Sequence, residues 1–233
     1  MNNLLIIPAR GGSKRIPRKN IKKFKGKPIL ERTIKKIINF KFFKKIIVST
    51  DDKEIASIAI KAGAEIPFMR SEKLSGDFTP TRDVVLHAIN WYESRGEEFN
   101  NICCLYPTSV LLENGDLEKA FEKLSESNIN KYVFAATKYS HPIQRAFYLD
   151  DKNNAKIFSK NEFFKRTQDL EAAYHDAGQF YLASRDTWKN KINIFDDANP
   201  VIIPSWRAID IDTPEDWKLA ELIYDVIFNF ISN

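Results

Sequence analysis

Asn3-Leu4-Leu5-Ile6-Ile7-Pro8-Ala9-Arg10-Gly11-Gly12-Ser13-Lys14-Arg15-Ile16-Pro17-Arg18-Lys19-Asn20 sets the fold class of this chain. An apolar run of strand length, Asn3 to Ala9, stops at Arg10 and Gly11. Pro28 then suits the first turn of a helix, and Ile29, Leu30, Thr33, Ile34, Ile37 and Ile38 recur at helical spacing. Strand, loop and helix repeat downstream. Lys45 to Thr50 reads as a strand, and Asp51 with Glu54 as the capped start of a helix that stops at Gly63. A short strand is expected over Glu65 to Arg70, a helix over Thr79 to Ser94, a strand over Asn101 to Pro107, a helix around Asp116 to Ser125 and a strand over Lys131 to Tyr139. Strands over Gln179 to Ala183 and Pro200 to Pro204 follow. Thr213-Pro214-Glu215-Asp216 opens a last helix with Trp217, Ala220, Tyr224, Ile227 and Phe230 or Ile231 as its apolar stripe. This alternation predicts an α/β fold with a mainly parallel sheet flanked by helices. The rhythm lapses between about residues 139 and 174, where an inserted arm is expected within a single domain spanning 1–233.

The chain has 233 residues, 43% apolar, 12% aromatic and 29% charged, enough to bury a sizeable core and unlike a disordered chain. No run of 18 apolar residues spans a membrane, and Leu4 to Ile7 is too short for a signal peptide, so the expected address is the cytoplasm. Cys103 and Cys104 are adjacent and read as buried, reduced strand residues. The net charge of +5 is concentrated: residues 1–30 hold nine Lys and Arg and no acid, whereas the remainder holds 27 basic and 31 acidic side chains. A nucleic-acid binder spreads its basic surface widely. An excess confined to one segment fits a pocket for a compact polyanion such as a nucleoside triphosphate, with neither nucleic acid nor membrane as partner.

The loop after the first strand carries that charge. Gly11 and Gly12 let backbone N–H groups approach a ligand, and Arg10, Lys14, Arg15, Arg18 and Lys19 surround it, with Ser13 between. It is neither a Walker loop nor a dinucleotide fingerprint, and a solvated basic turn is the alternative. Asp210-Ile211-Asp212 reads as a strand end with two carboxylates on one face, a natural Mg²⁺ site, or else as a solvated Asp210 beside an Asp212 that caps the last helix. Arg166, Gln168, Asp169, Tyr174, His175 and Asp176 form a third polar group, suited to a sugar acid or to a subunit contact. His87, His141 and His175 are too dispersed for a metal cluster, and His87 reads as a satisfied helix residue.

These residues resemble a known family. Residues 8 to 20 are similar to the opening motif of acylneuraminate cytidylyltransferases. Val48-Ser49-Thr50-Asp51-Asp52 with Glu54-Ile55-Ala56 and Gly63-Ala64 resembles that family's second βα unit. Arg70 with Leu74, Asp77, Thr79 and Thr81 resembles its base-binding region, and Asp210-Ile211-Asp212 its metal-binding carboxylates. Where the sialic acid enzymes carry Gln-x-Thr-Ser-Pro, this chain has Tyr106-Pro107-Thr108-Ser109-Val110. That segment, with residues 142–146 and 166–181, resembles the branch that activates pseudaminic acid, a sugar bacteria place on flagellin and surface polysaccharide. The resemblance implies a Rossmann-like nucleotidyltransferase fold, an arm that forms a homodimer, and transfer of CMP from CTP to a nonulosonic acid with Mg²⁺ as cofactor. It implies Arg10, Gly11, Gly12, Ser13, Lys14, Asn20, Arg70, Thr79 and Thr81 around the nucleotide, with Arg15, Lys19, Asp210 and Asp212 catalytic and the two aspartates on the metal. Tyr106, Gln144, Arg166, Gln168, Tyr174 and His175 would face the sugar. Sialic, legionaminic and Kdo sugars are the alternative acceptors, and a nucleotide-binding module without turnover is the alternative class.

Overall fold

The computed structural model describes residues 2–126, 131–158 and 160–227. Ten strands and seven helices succeed one another along these residues: β1 Asn3–Pro8, β2 Lys23–Phe24, β3 Lys27–Pro28, α1 Ile29–Ile37, β4 Lys45–Ser49, α2 Lys53–Ala62, α3 Thr81–Glu93, β5 Asn101–Leu105, α4 Asn114–Glu126, β6 Val133–Lys138, β7 Phe147–Leu149, β8 Ala155–Ile157, α5 Lys160–Phe163, β9 Tyr174–Ser184, α6 Arg185–Asn190, β10 Asn199–Ile202 and α7 Pro214–Asp225. Six strands make the central sheet in the order β10-β6-β9-β5-β1-β4. All lie parallel except β9, which runs antiparallel to both β5 and β6. A continuous apolar strand is buried on both faces whichever way it runs, so its pattern announces burial and not direction.

Alternation along each strand feeds two cores. Leu5 and Ile7 of β1 join Cys103 and the apolar faces of α1, α2 and α4, while Leu4 and Ile6 join Cys104, α3 and Trp188 of α6. The two cysteines are buried free thiols on opposite faces of β5. A third cluster seats Trp217 and Ala220 of α7 on Phe24, Ile29, Val110 and Ile211. The helix stripe beyond Ile227, at Phe230 or Ile231, lies outside the described residues.

Several local expectations change. Asp52, not Asp51, caps α2, accepting from the N–H groups of Glu54 and Ile55 at 2.9 Å each. Residues 65–70 make only two isolated bridges, Ile47 with Glu65 and Thr50 with Met69. The third helix starts at Thr81 because Pro80 is extended at its cap. Asp210-Ile211-Asp212 is not a strand end but irregular chain that follows a 3-10 turn over Ser205–Arg207, where the Arg207 side chain turns inward to pair with buried Asp116. Between β6 and β9 the chain forms the exposed β7–β8 hairpin and short helical turns.

Candidate active site

The carboxyl ends of β1, β4 and β5 lie on one edge of the sheet, the edge at which open α/β sheets bind ligands. A cleft of 370 Å³ opens there. Its walls bring together Arg10, Ser13, Lys14, Arg15, Lys19 and Asn20 of the first loop, then Arg70, Thr79 and Thr81, then Tyr106, and finally Asp210 and Asp212. Residues separated by two hundred positions therefore meet as the sequence reading requires.

The loop is shaped by its own polar contacts. Asn20, buried, donates from Nδ2 to the Arg10 carbonyl at 2.9 Å and fixes the loop's two ends. Arg18 adopts a left-handed φ of 55° and spends its guanidinium on Asp52 and on Glu54 at 2.6 Å, so it anchors the loop to α2. That pairing, with the amides of α2, holds the Asp52 carboxyl low. Neither Gly11 nor Gly12 lines the cleft. The Gly11 N–H is taken by Asp51 Oδ1 at 2.9 Å, and a β carbon at Gly11 would lie 2.8 Å from Asp52 Oδ2. This glycine permits close packing on the two aspartates; it does not offer an amide to a ligand.

The remaining cations are paired with carboxylates. Asp77 holds Arg10 Nη1 at 2.6 Å and Lys14 Nζ at 2.5 Å, and those hydrogen bonds, Lys14's first, keep its carboxyl low. Asp212 holds Arg15 Nη2 at 2.7 Å and Lys19 Nζ at 3.1 Å, while Lys19 also donates to the Ile211 carbonyl at 2.7 Å. Asp212 does not cap the last helix. Thr213 does, in a reciprocal capping box with Asp216. Asp210 takes no hydrogen bond or ion pair from the described residues. Asp210 is exposed at the cleft's mouth, and the partial desolvation of its carboxyl by the concave wall, and then the charge of Asp212, push its pKa up. An unpartnered carboxylate two residues from a paired one, on the wall of a cationic cleft, has the chemistry of a hard-cation site. Among the described residues no group of three or more His, Cys, Asp and Glu is placed to hold a metal ion, so any cation here has at most two protein carboxylates.

Arg70 is the most unusual side chain of the cleft. Its side chain is 3% exposed, its nearest carboxylate is Asp51 at 4.0 Å, and its Nε and Nη2 have no hydrogen-bond partner. Burial lowers its pKa. His87 behind it is not satisfied as expected: Nδ1 is buried without a partner, the ring stands edge-on to Phe68 at 4.5 Å, and burial together with Arg70 keeps the imidazole neutral. At the far wall, Thr81 Oγ1 and the Tyr106 hydroxyl are 2.6 Å apart, and Tyr106 meets Tyr181 edge-on at 5.8 Å. Burial raises the pKa of both phenols.

The other expected sugar contacts lie elsewhere. Gln144 Nε2 donates to the Glu171 carbonyl at 3.0 Å, Arg166 pairs with Asp169 at 2.7 Å, and Gln168 sits in the exposed turn Thr167–Asp169. Tyr174 is exposed at the start of β9, and His175 stacks obliquely on Tyr139 at 4.6 Å. None of the five lines the cleft. Conversely, Gly178 received no role of its own from the sequence, although a lone glycine inside an apolar strand pattern is a signal of a bulge.

The sequence profile of the Cytidylyltransferase family matches residues 4–219. The chain belongs to the cytidylyltransferase family. This cytidylyltransferase is 43% identical over 227 residues to the pseudaminic acid cytidylyltransferase of Campylobacter jejuni, with 97% of each chain covered. It is 31% identical to the CMP-N,N'-diacetyllegionaminic acid synthase of Legionella pneumophila, again over 97% of each. Its fold matches the solved CMP:2-keto-3-deoxy-manno-octonic acid synthetase in complex with CTP, with a TM-score of 0.69, 15% identity and coverage of 96% and 98%. No helix among the described residues is long and apolar enough to cross a membrane.

Proposed function

We propose that this cytidylyltransferase transfers CMP from CTP to the anomeric hydroxyl of a nonulosonic acid, pseudaminic acid in particular, and releases pyrophosphate. The sugar oxygen forms a bond to the α-phosphorus as the bond from that phosphorus to the pyrophosphate oxygen breaks, and the hydroxyl proton is released to solvent. Such chemistry rests on positioning and on neutralising phosphate charge. The observation that carries the reading is the convergence, in one cleft, of four loop cations, a buried Arg70 with unpartnered donors and two carboxylates.

In this reading Arg10, Lys14, Arg15 and Lys19 leave Asp77 and Asp212 for the triphosphate, and Arg70, Thr79, Thr81 and Asn20 hold the nucleoside. Asp210 and Asp212 would hold Mg²⁺, which would supply positive charge against the phosphates and the attacking hydroxyl. The identity to the pseudaminic acid enzyme, higher than to the legionaminic one, supports the acceptor. Between β6 and β9, Ile143, Phe147, Tyr148, Leu149, Phe158 and Phe164 are exposed, which supports an arm that packs on a second copy. Gln144, Arg166, Gln168, Tyr174 and His175 would then serve the partner's cleft. The reaction is placed in the cytoplasm and supplies an activated sugar for flagellin or surface polysaccharide. The test is pyrophosphate release from CTP and Mg²⁺ against a panel of pseudaminic, legionaminic, N-acetylneuraminic and Kdo acids. Turnover that strongly favours pseudaminic acid is expected, because unpaired buried polar groups penalise a wrong sugar heavily. Equal turnover on all four, or none on any, would refute the assignment.

A further inference from the structure

β9 is out of register where it passes the cleft. Ala136 of β6 pairs with Asp176 and Phe134 with Tyr181, and residues 177–180 bulge between those two points. Asp176 stabilises the bulge: its Oδ1 accepts from the Gly178 N–H at 3.0 Å, and its Oδ2 accepts from the Tyr181 hydroxyl. The bulge is tied to both loops of the site. The Gln179 carbonyl accepts from the Tyr106 N–H and from Ser109 Oγ, each at 2.9 Å, and Gln179 Nε2 donates to the Arg207 carbonyl at 2.6 Å. Gly178 stands at the apex with φ 61°. A β carbon there would lie 3.3 Å from Asp210 Cγ and 3.5 Å from its Oδ2.

Asp212 is located by Arg15 and Lys19, but Asp210 has no polar partner to locate it. The backbone of Gly178, held by Asp176, lies close enough that an added β carbon would touch the carboxyl. We infer that Gly178 is a positioning residue for the metal ion: the missing side chain gives the Asp210 carboxyl the place from which it reaches the cation. A methyl group at 3.3 Å displaces the carboxylate, because the unpartnered side chain yields more readily than a backbone tied on both sides. Supporting residues of this kind typically change metal affinity by about ten-fold or more. The inference rests on the reading of Asp210 and Asp212 as metal ligands.

The experiment titrates Mn²⁺, observed by electron paramagnetic resonance, into the full chain saturated with CTP. The proteins are the parent, Gly178→Ala, Gly178→Asn, Asp210→Asn and the two double variants, and the melting temperature of each is recorded. Asp210→Asn and both Gly178 variants should each weaken Mn²⁺ binding by about ten-fold. The Gly178 changes should add nothing in the Asp210→Asn background. Asparagine enters the left-handed region more readily than alanine, so a loss shared by both variants belongs to the β carbon and not to backbone strain. Parental Mn²⁺ affinity in a folded Gly178→Asn protein overturns the inference, and so does a loss that persists undiminished in the double variants. Failure of both Gly178 variants to fold assigns the glycine to the fold alone. An unchanged affinity in Asp210→Asn strikes the underlying metal reading instead.

Discussion

Replacing Arg70 by methionine should stabilise the empty protein and disable it. The guanidinium is buried with Nε and Nη2 unpartnered, and among the described residues the carboxylate nearest to it, Asp51, stands at 4.0 Å. An unmade hydrogen bond at a buried donor costs about 1–3 kcal/mol. Two such donors, set against a weak ion pair and the packing that methionine keeps, leave a net gain of about 1 kcal/mol. For a chain of this size that raises the melting temperature by about 2–4 °C. The same guanidinium lines the cleft, where in the proposed reading it meets the nucleoside. A hydrogen bond from a charged group contributes about 1.5–3 kcal/mol, so CTP affinity should fall by about 10- to 150-fold. Scanning calorimetry with and without CTP reads both effects, since a ligand that binds only the folded state raises the melting temperature in proportion to the logarithm of its concentration over Kd. A variant that melts several degrees below the parent without CTP would refute the claim of uncompensated burial. An undiminished shift with CTP would refute the claim that Arg70 serves the nucleotide.

Arg15→Ala and Lys19→Ala should each lower turnover by about ten-fold or more with the fold intact, read by pyrophosphate release and melting; parental turnover in both removes the phosphate role of the loop. Asp210→Asn and Asp212→Asn should melt near the parent's temperature, lose most activity and recover part of it at high Mg²⁺, because Thr213 and not Asp212 caps α7. Lys36 has its pKa lowered to about 8 by burial, against an ordinary value of 10.5. The folded state therefore sheds this proton before the unfolded state does, and Lys36 becomes less destabilising as pH rises from about 8 to 10.5. Lys36→Met should melt higher than the parent near pH 7, with the difference shrinking by pH 10; a constant difference would exclude that titration. Burial pushes both thiols of Cys103 and Cys104 up, so neither should react with a thiol reagent until the protein unfolds.

The elements legible in the sequence are those whose signals are local. β1, β4 and β5 are uninterrupted apolar runs, and α1 and α7 carry a proline start and a helical stripe. The loop cations and the Asp210-Ile211-Asp212 triplet were visible because charge and spacing survive in one dimension. What escaped depends on partners distant in sequence. Two adjacent aspartates both suit the cap of α2, and only the approach of Gly11 assigns Asp51 to the loop and Asp52 to the helix. Nothing local marks Arg207 as an inward-turning residue, because its partner, Asp116, lies 91 residues away. The direction of β9 has no local signal, and the arm's polar residues gave no hint that they stand outside the cleft of their own chain.

The pairing of Arg10 and Lys14 with Asp77, and of Arg15 and Lys19 with Asp212, makes the cleft its own counterion. On the proposed reaction the triphosphate enters by ion exchange, displacing two tethered carboxylates that do not diffuse away. A small anion such as phosphate must compete with these tethered groups at a high local concentration, whereas a chain of three phosphates can displace both at once. The loop should thus behave as a weak site for inorganic phosphate and a strong one for CTP, despite four cations within ten residues. Added salt should weaken CTP binding less than four free cations would suggest, because bulk ions are not what neutralises the empty site.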